Sequence, residues 1–342
     1  MLGFGFSQEM SKNLDKQDLN ILHKLDRNSR ASITNIAKLA KIPTETARYR
    51  IQRLCERQII TKFYGIVDLS KLGCTLYKIY FGLQNANEEA VSKMVSYLES
   101  IPGLIWMIRV DGKYDLALGL IVDQVMTLDS FLENFNAKFS KYIRKRSICI
   151  NVSMHYLERD YLINKKFRET HKARQYSAEG SKIKVDELDC TIIEILSEDS
   201  RTPSAQIARD LSIKLKKEIS TELVLNRIKR IEKEGIITGY CIILNSSLMD
   251  QLHIKVLLNL SAYSPEKVRE FVNFCWKIPR VVHAVKVIGE WDYEIDLEVE
   301  NTSQYREIMG QITSEHPELI RDYNALFIEQ VIKYKAIEFA II

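Results

Sequence analysis

Two stretches of this chain share one pattern. Leu14-Asp15, Asp18 and Ile21-Leu22 recur as Val185-Asp186, Asp189 and Ile192-Ile193. Asn28-Ser29-Arg30 recurs as Asp199-Ser200-Arg201, and Ile36-Ala37 as Ile207-Ala208, all at an offset of 171 (185 − 14, 201 − 30, 207 − 36). Farther on, Arg50-Ile51 matches Arg227-Ile228, Ile59-Ile60-Thr61 matches Ile236-Ile237-Thr238, and Ile101-Pro102 matches Ile278-Pro279, at an offset of 177 (227 − 50, 236 − 59, 278 − 101). The second half therefore carries six more residues (177 − 171), placed between Leu211 and Arg227. Solenoid repeats run only to about 50 residues, so a period of this size implies a multi-domain unit written twice.

Within the first unit, the stretch Thr44–Arg57 is the most informative. Ala47, Ile51 and Leu54 share one helical face, while Arg50, Arg53 and Arg57 share another. Pro43 suits a helix start, with Thr44 or Thr46 as a cap. Helices are also predicted over 15–25, with Leu19, Leu22 and Leu25 inward, and over 34–40. The β-branched and aromatic run Ile59–Val67 reads as a wing strand. Three helices and a wing predict a winged helix-turn-helix, with Thr44–Arg57 as the reader of the major groove.

From Thr75 the period changes. Strands are predicted over 76–83, 104–110, 115–122 and 143–154, with helices over 88–98 and 125–139. Asp111-Gly112-Lys113-Tyr114 forms the hairpin turn. The order βαββαβ is the ferredoxin-like motif. Such a sheet has one face under helices and one free, and the free face of the other copy is its natural partner. Glu158–Lys184 is charged without apolar period and reads as a solvated linker. The second unit repeats the pattern, with its recognition helix near 221–234 and Lys214, Lys216 and Lys217 in a lengthened turn. The expected fold class is α+β, with winged helix-turn-helix domains at 13–70 and 185–247 and ferredoxin-like domains at 75–157 and 252–337.

Net charge is +4, which permits nucleic-acid binding without demanding it. The six cysteines form no CxxC pair and suit a reducing compartment. The six histidines show no metal-ligand spacing, and no P-loop, dinucleotide fingerprint, HExxH or nucleophile elbow occurs. No metal, cofactor or catalytic residue is therefore expected. Residues 1–12 read as a disordered tail, and no apolar run approaches the roughly 18 residues of a membrane span. A cytoplasmic protein without membrane partners is expected.

These motifs, taken in order, resemble the Lrp/AsnC family of feast/famine transcription regulators. The carriers are Leu14-Asp15, Asp18, Asn28-Ser29-Arg30, Arg50-Ile51-Gln52-Arg53-Leu54 and Gly112-Lys113-Tyr114-Asp115, with their second-half equivalents, ending in Gly289-Glu290-Trp291-Asp292. The resemblance implies a regulator that binds double-stranded DNA and whose ferredoxin-like (RAM-type) domains pair sheet to sheet. It also implies an amino acid or similar effector near the Gly-x-x-Asp hairpins. Both units in one chain imply an intrachain pseudo-dimer, with homo-oligomers left open.

Candidate DNA-contacting residues are Thr44, Glu45, Arg48, Tyr49, Arg50 and Arg53, and Thr221, Glu222, Asn226, Arg227, Lys229 and Arg230. Arg48-Tyr49 aligns with Leu225-Asn226, which predicts an asymmetric DNA site. Candidate effector contacts are Gly112, Tyr114, Asp115, Gly289, Trp291 and Asp292. The glycines equally suit a turn needing positive φ, and the aspartates equally suit a turn cap. Two other classes are open. One is a sensor that has lost DNA binding in one half. The other is a haem-precursor (siroheme) decarboxylase, which shares this two-domain build and uses histidines and arginines in the ferredoxin-like domain. Neither hairpin holds a histidine, so the expectation is that the chain is not an enzyme.

Overall fold

The computed structural model describes residues 14–168, 174–177, 182–261, 264–335 and 337. The expected tail and Lys172 lie outside the described residues.

Helix α1 (Lys16–Arg27) begins where Asp15 accepts hydrogen bonds from the Gln17 and Asp18 amides while Asp18 accepts one from the Asp15 amide. This reciprocal cap satisfies donors that a helix start leaves unpaired. α2 (Ile33–Ala40) and α3 (Thr44–Glu56) complete a three-helix unit around Ile21, Leu22, Leu25, Ile36, Ile51 and Leu54. Pro43 precedes α3 without a side-chain cap, so the cap expected from Thr44 or Thr46 is not formed. The strand that follows is β1 (Ile60–Val67).

The first sheet unit comprises β2 (Thr75–Leu83), α4 (Glu88–Glu99), β3 (Leu104–Gly112), β4 (Leu116–Val122), α5 (Val125–Phe139) and β5 (Ile143–Tyr156). A short strand, β6 (Arg174–Ser177), pairs with the end of β5. The same order then recurs as α6 (Glu187–Glu198), α7 (Ser204–Leu215), α8 (Thr221–Lys233), β7 (Ile237–Leu244), β8 (Leu252–Leu260), α9 (Pro265–Lys277), β9 (Val281–Ile288), β10 (Tyr293–Val299), α10 (Thr302–Glu315) and β11 (Ile320–Tyr334). The expected lengthened turn is mostly helix, because α7 has 12 residues where α2 has 8.

β1 and β7, expected as separate wings, pair antiparallel with each other. Beside them the Asn-Ser-Arg and Asp-Ser-Arg motifs form a reciprocal joint. Arg30 donates to the Ser200 and Thr202 carbonyls at 2.6 and 3.1 Å, and Arg201 donates to those of Ser29 and Ala31 at 2.7 and 3.1 Å. Ser29 and Ser200 share a 2.7 Å hydrogen bond. This is the self-complementary geometry of a two-fold interface, built within one chain.

The remaining strands close a ring in the order β2-β4-β3-β11-β8-β10-β9-β5 and back to β2. Residues 143–150 of β5 follow β2 and residues 150–156 follow β9, while β11 runs along β8 and then β3. The expected sheet-on-sheet pairing is therefore corrected. The free faces do meet, but as the interior of a barrel whose edges are joined. Closure satisfies the strand edges that two open sheets would leave unpaired. Side chains alternate: Tyr77, Ile79 and Phe81 pack under α4 and α5, while Lys78 and Tyr80 point inward.

The described part of 158–184 is not a solvated linker. Glu158, Arg159, Asp160, Arg168 and Arg174 are all buried. Arg159 spans Asp26 and Glu298, and Arg168 caps backbone carbonyls including Pro279 (3.3 Å) and Val281 (3.2 Å). The segment ties helix α1 to the barrel. Among the described residues, no helix is long and apolar enough to cross a membrane.

Candidate functional site

Helices α3 and α8, expected as recognition helices, lie at matched places, each packed beside the capped start of α1 or α6. Arg50 donates to Asp15 and Asp18 at 2.7 and 2.8 Å, and Arg53 donates to Asp18 at 2.7 Å. Arg227 donates to Asp186 at 2.8 Å and Asp189 at 3.1 Å, and Arg230 donates to Asp189. Hydrogen bonds to Asp15 and Asp18 raise the Arg50 pKa above its ordinary value. Asp18 and Asp189 are fully buried, so these guanidiniums hold the helix and neutralise its neighbour. The expectation that Arg50, Arg53, Arg227 and Arg230 project outward is corrected. Spacing along one helix reveals its faces but not which other helix abuts them.

The outward surface consists of different residues. Glu45, Arg48, Tyr49 and Gln52 are exposed on α3, with Thr44 half-buried. Thr221, Glu222, Leu225, Asn226 and Lys229 are exposed on α8. Tyr49 is 64% exposed, with the Arg53 guanidinium 5.9 Å from its ring centre.

The two hairpins meet at one end of the barrel. Asp115 accepts the Leu83 amide at 2.7 Å and Asp292 accepts the Leu260 amide at 2.8 Å, so both carboxylates brace the turn. Gly112 has φ +141°, and a Cβ there would lie 2.7 Å from the Ala325 carbonyl oxygen; at Gly289 it would lie 2.5 Å from Cys149 Sγ. Tyr114 and Trp291 are buried, flanking Tyr80. Thus the six expected effector residues are brought together, but each is engaged in holding the fold. At the tips, Glu290 accepts from Lys145 (2.6 Å), Tyr114 (2.9 Å), Lys113 (3.0 Å) and Ser147. Burial opposes ionisation of Glu290, but these donors outweigh it and lower its pKa to about 2. Beside the first hairpin lies a polar recess of about 280 Å³ lined by Glu88, Arg109, Asp111, Asp115 and Glu329.

A second cavity, about 170 Å³, lies where the barrel meets β1 and β7. Its charged lining comes from β2, β8, β9 and β10 and from Arg159 and Lys335. Lys78 donates to Glu294 at 2.7 Å, and Lys255 donates to Asp296 at 2.6 Å. Arg159 makes a two-pronged contact with Glu298 at 2.9 and 3.0 Å. His283 Nδ1 lies 2.9 Å and His253 Nε2 3.8 Å from Asp296 Oδ2. Burial opposes the Asp296 charge, but Lys255 and the two histidines hold its pKa well below the usual range. These three ligand atoms lie within 4.8 Å of one another, a grouping that no spacing along the sequence shows. Residues 30 and 43 positions from His253 (283 − 253, 296 − 253) escape any short motif.

Residues 14–54 match the AsnC-type helix-turn-helix domain. The first helical unit is thus of the AsnC type. Over 128 residues it is 26% identical to the leucine-responsive regulatory protein of Escherichia coli strain K12, covering 37% of this chain and 74% of that protein. Over 130 residues it is 28% identical to the transcriptional regulatory protein DoeX of Halomonas elongata, covering 38% of this chain and 78% of that one. The crystal structure of the siroheme decarboxylase NirDL matches 94% of this chain and 93% of its own, with TM-score 0.60 and 13% identity. The expectation that the chain is not an enzyme is overturned by that likeness, because the fold spanning nearly the whole chain is one that an enzyme has. His253 and His283 enter the barrel from its strands and not from the hairpins.

Proposed function

We propose that the chain is a sequence-specific, double-stranded-DNA-binding transcription regulator of the Lrp/AsnC type, acting in the cytoplasm as a single-chain pseudo-dimer. The observation that carries this is the pair of helices α3 and α8. Both are pinned from behind by the same arginine–aspartate contacts and joined through β1–β7, and their front faces are free. Arg48 and Lys229 supply phosphate contacts, and Tyr49 and Asn226 face base edges. Because the two fronts differ, the DNA site is asymmetric. Selection from a random DNA pool tests this. Two unlike half-sites are expected, and recovery of no enriched sequence overturns it. Arg48→Ala and Lys229→Ala should each flatten the salt dependence by about one ion. Arg50→Ala should instead lower stability by about 1–3 kcal/mol, because Asp18 loses a partner.

The recess beside the first hairpin suits a small zwitterion such as an amino acid. Arg109 would take its carboxylate, and Asp111 and Glu329 its ammonium. Calorimetric titration with an amino-acid panel should give binding that Arg109→Ala removes; no heat with any member excludes this site.

A second reading, that the chain acts on a tetrapyrrole, is favoured by one observation. The NirDL-like fold surrounds a cavity into which His253, His283, Lys78, Lys255 and Arg159 project. Titration with an iron tetrapyrrole, followed by its visible absorption, separates the readings. A saturable shift lost in His283→Ala supports the second, and an unshifted band excludes it.

A further inference from the structure

We propose that His253, His283 and Asp296 form a binding site for one divalent first-row transition-metal ion inside the barrel cavity. The site is independent of the DNA-binding reading.

The donor set is two imidazole nitrogens and one carboxylate oxygen. His253 Nε2, His283 Nδ1 and Asp296 Oδ2 all lie within 4.8 Å of one another, so one ion could touch all three after small side-chain rotations. The ligands come from adjacent strands in register: His253 stands opposite Glu298 on the β8–β10 ladder, and His283 opposite Asp296 on the β9–β10 ladder. Barrel strands are rigid supports for such a set. Imidazole and carboxylate together suit zinc, iron(II), cobalt or nickel over calcium or magnesium.

Two further observations point to a ligand. His253 Nε2 is a buried atom without a hydrogen bond, although Asp296 is its neighbour at 3.8 Å. Asp296 is also already oriented, because Lys255 Nζ holds Oδ1 at 2.6 Å and leaves Oδ2 to face the histidines. An outer partner of this kind aims a carboxylate at a metal. Three protein ligands leave at least one coordination position, and all three residues line the cavity, so that position would be open to a small molecule there.

The second half alone is built this way. At an offset of 177, His253, His283 and Asp296 correspond to Leu76, Trp106 and Gly119 (253 − 76, 283 − 106, 296 − 119). There the Trp106 indole lies against Gly119, so close that a Cβ would stand 2.0 Å from its Nε1. The other buried group, His23, Glu158 and Asp160, is a poorer candidate. Arg27 occupies Glu158 at 3.1 Å, and Lys165 and Arg168 crowd Asp160 at 3.4 and 3.5 Å.

Cobalt(II) is the probe, added to chelator-treated full-length protein. One equivalent should bind and produce the visible d–d bands of a low-coordinate site. His253→Ala should keep the fold by circular dichroism and weaken cobalt binding at least 100-fold, while His23→Asn should leave it unchanged. Lys255→Met should weaken it 10–100-fold as an outer partner. If the His253→Ala chain does not fold, the stoichiometry and spectrum of the unaltered protein decide. Only the hexa-aqua cobalt spectrum in that protein, binding well below one equivalent, or unchanged affinity in a folded His253→Ala variant overturns the site.

Discussion

The two halves of the barrel share a backbone plan and differ inside. Lys78 and Lys255 occupy matched positions (255 − 78 = 177), and both end on Glu294. Around them the first half places Leu76, Trp106, Ala117, Gly119 and Ile121, where the second places His253, His283, Glu294, Asp296 and Glu298. One half fills its share of the interior with an indole; the other fills it with charge. The acids are tolerated because Lys78 and Lys255 come from β2 and β8, and Arg159 from the segment after β5, to neutralise them. A repeated architecture thus leaves its interior free to diverge, provided that every buried charge keeps a partner.

The largest expected effect is on that neutralisation. Lys255→Met strips Asp296 and Glu294 of a buried cation and should cost about 3–5 kcal/mol in urea unfolding. Lys255→Met combined with Asp296→Leu should recover much of this, because no orphan charge remains. A loss within about 0.5 kcal/mol for the single variant, the size of an ordinary surface change, would break the contrast between the halves. Next, Gly119→Ala should cost about 1–3 kcal/mol by forcing Trp106 from its seat, read as a lowered melting temperature. If Gly119→Ala is neutral, the first half is not packed as described.

The smallest effect concerns the hairpin tips, where Lys113 and Glu290 are also matched (290 − 113 = 177). Glu290 is depressed from 4.5 to about 2 in the folded chain. Its contribution is therefore present above about pH 4.5 and lost as pH falls towards 2. Glu290→Gln should flatten that part of the acid limb, measured as urea midpoints at about pH 5 and pH 3. Parallel curves for the two proteins would show that the tip contacts contribute nothing measurable.

Much of the fold was legible. The helices at 16–27 and 44–56 follow from apolar spacing, and the βαββαβ order follows from alternation and the turn at Gly112. The candidate site was legible only in part. Arg48 and Tyr49 could be placed on a surface, but Arg50 and Arg53 look no different from them in a list of helix positions. Their partners are Asp15 and Asp18, a different helix away. Charge also misled in 158–184, where Arg159 reads as solvated and instead finds Asp26 and Glu298. A copy-to-copy comparison of Leu76, Trp106 and Gly119 with His253, His283 and Asp296 would have exposed the asymmetry.

By itself the sequence determined the periodic elements, their order and their recurrence at a fixed offset, because those depend on residues within a few positions of one another. Tertiary structure alone decided that β3 joins β11 and β5 joins β9, closing the barrel. It alone set four arginines against buried aspartates and gathered two histidines and a carboxylate around one cavity. The physical reason is range. Periodicity is read along the chain, whereas a buried charge is stabilised only by whatever the closed fold carries to within a few ångströms of it.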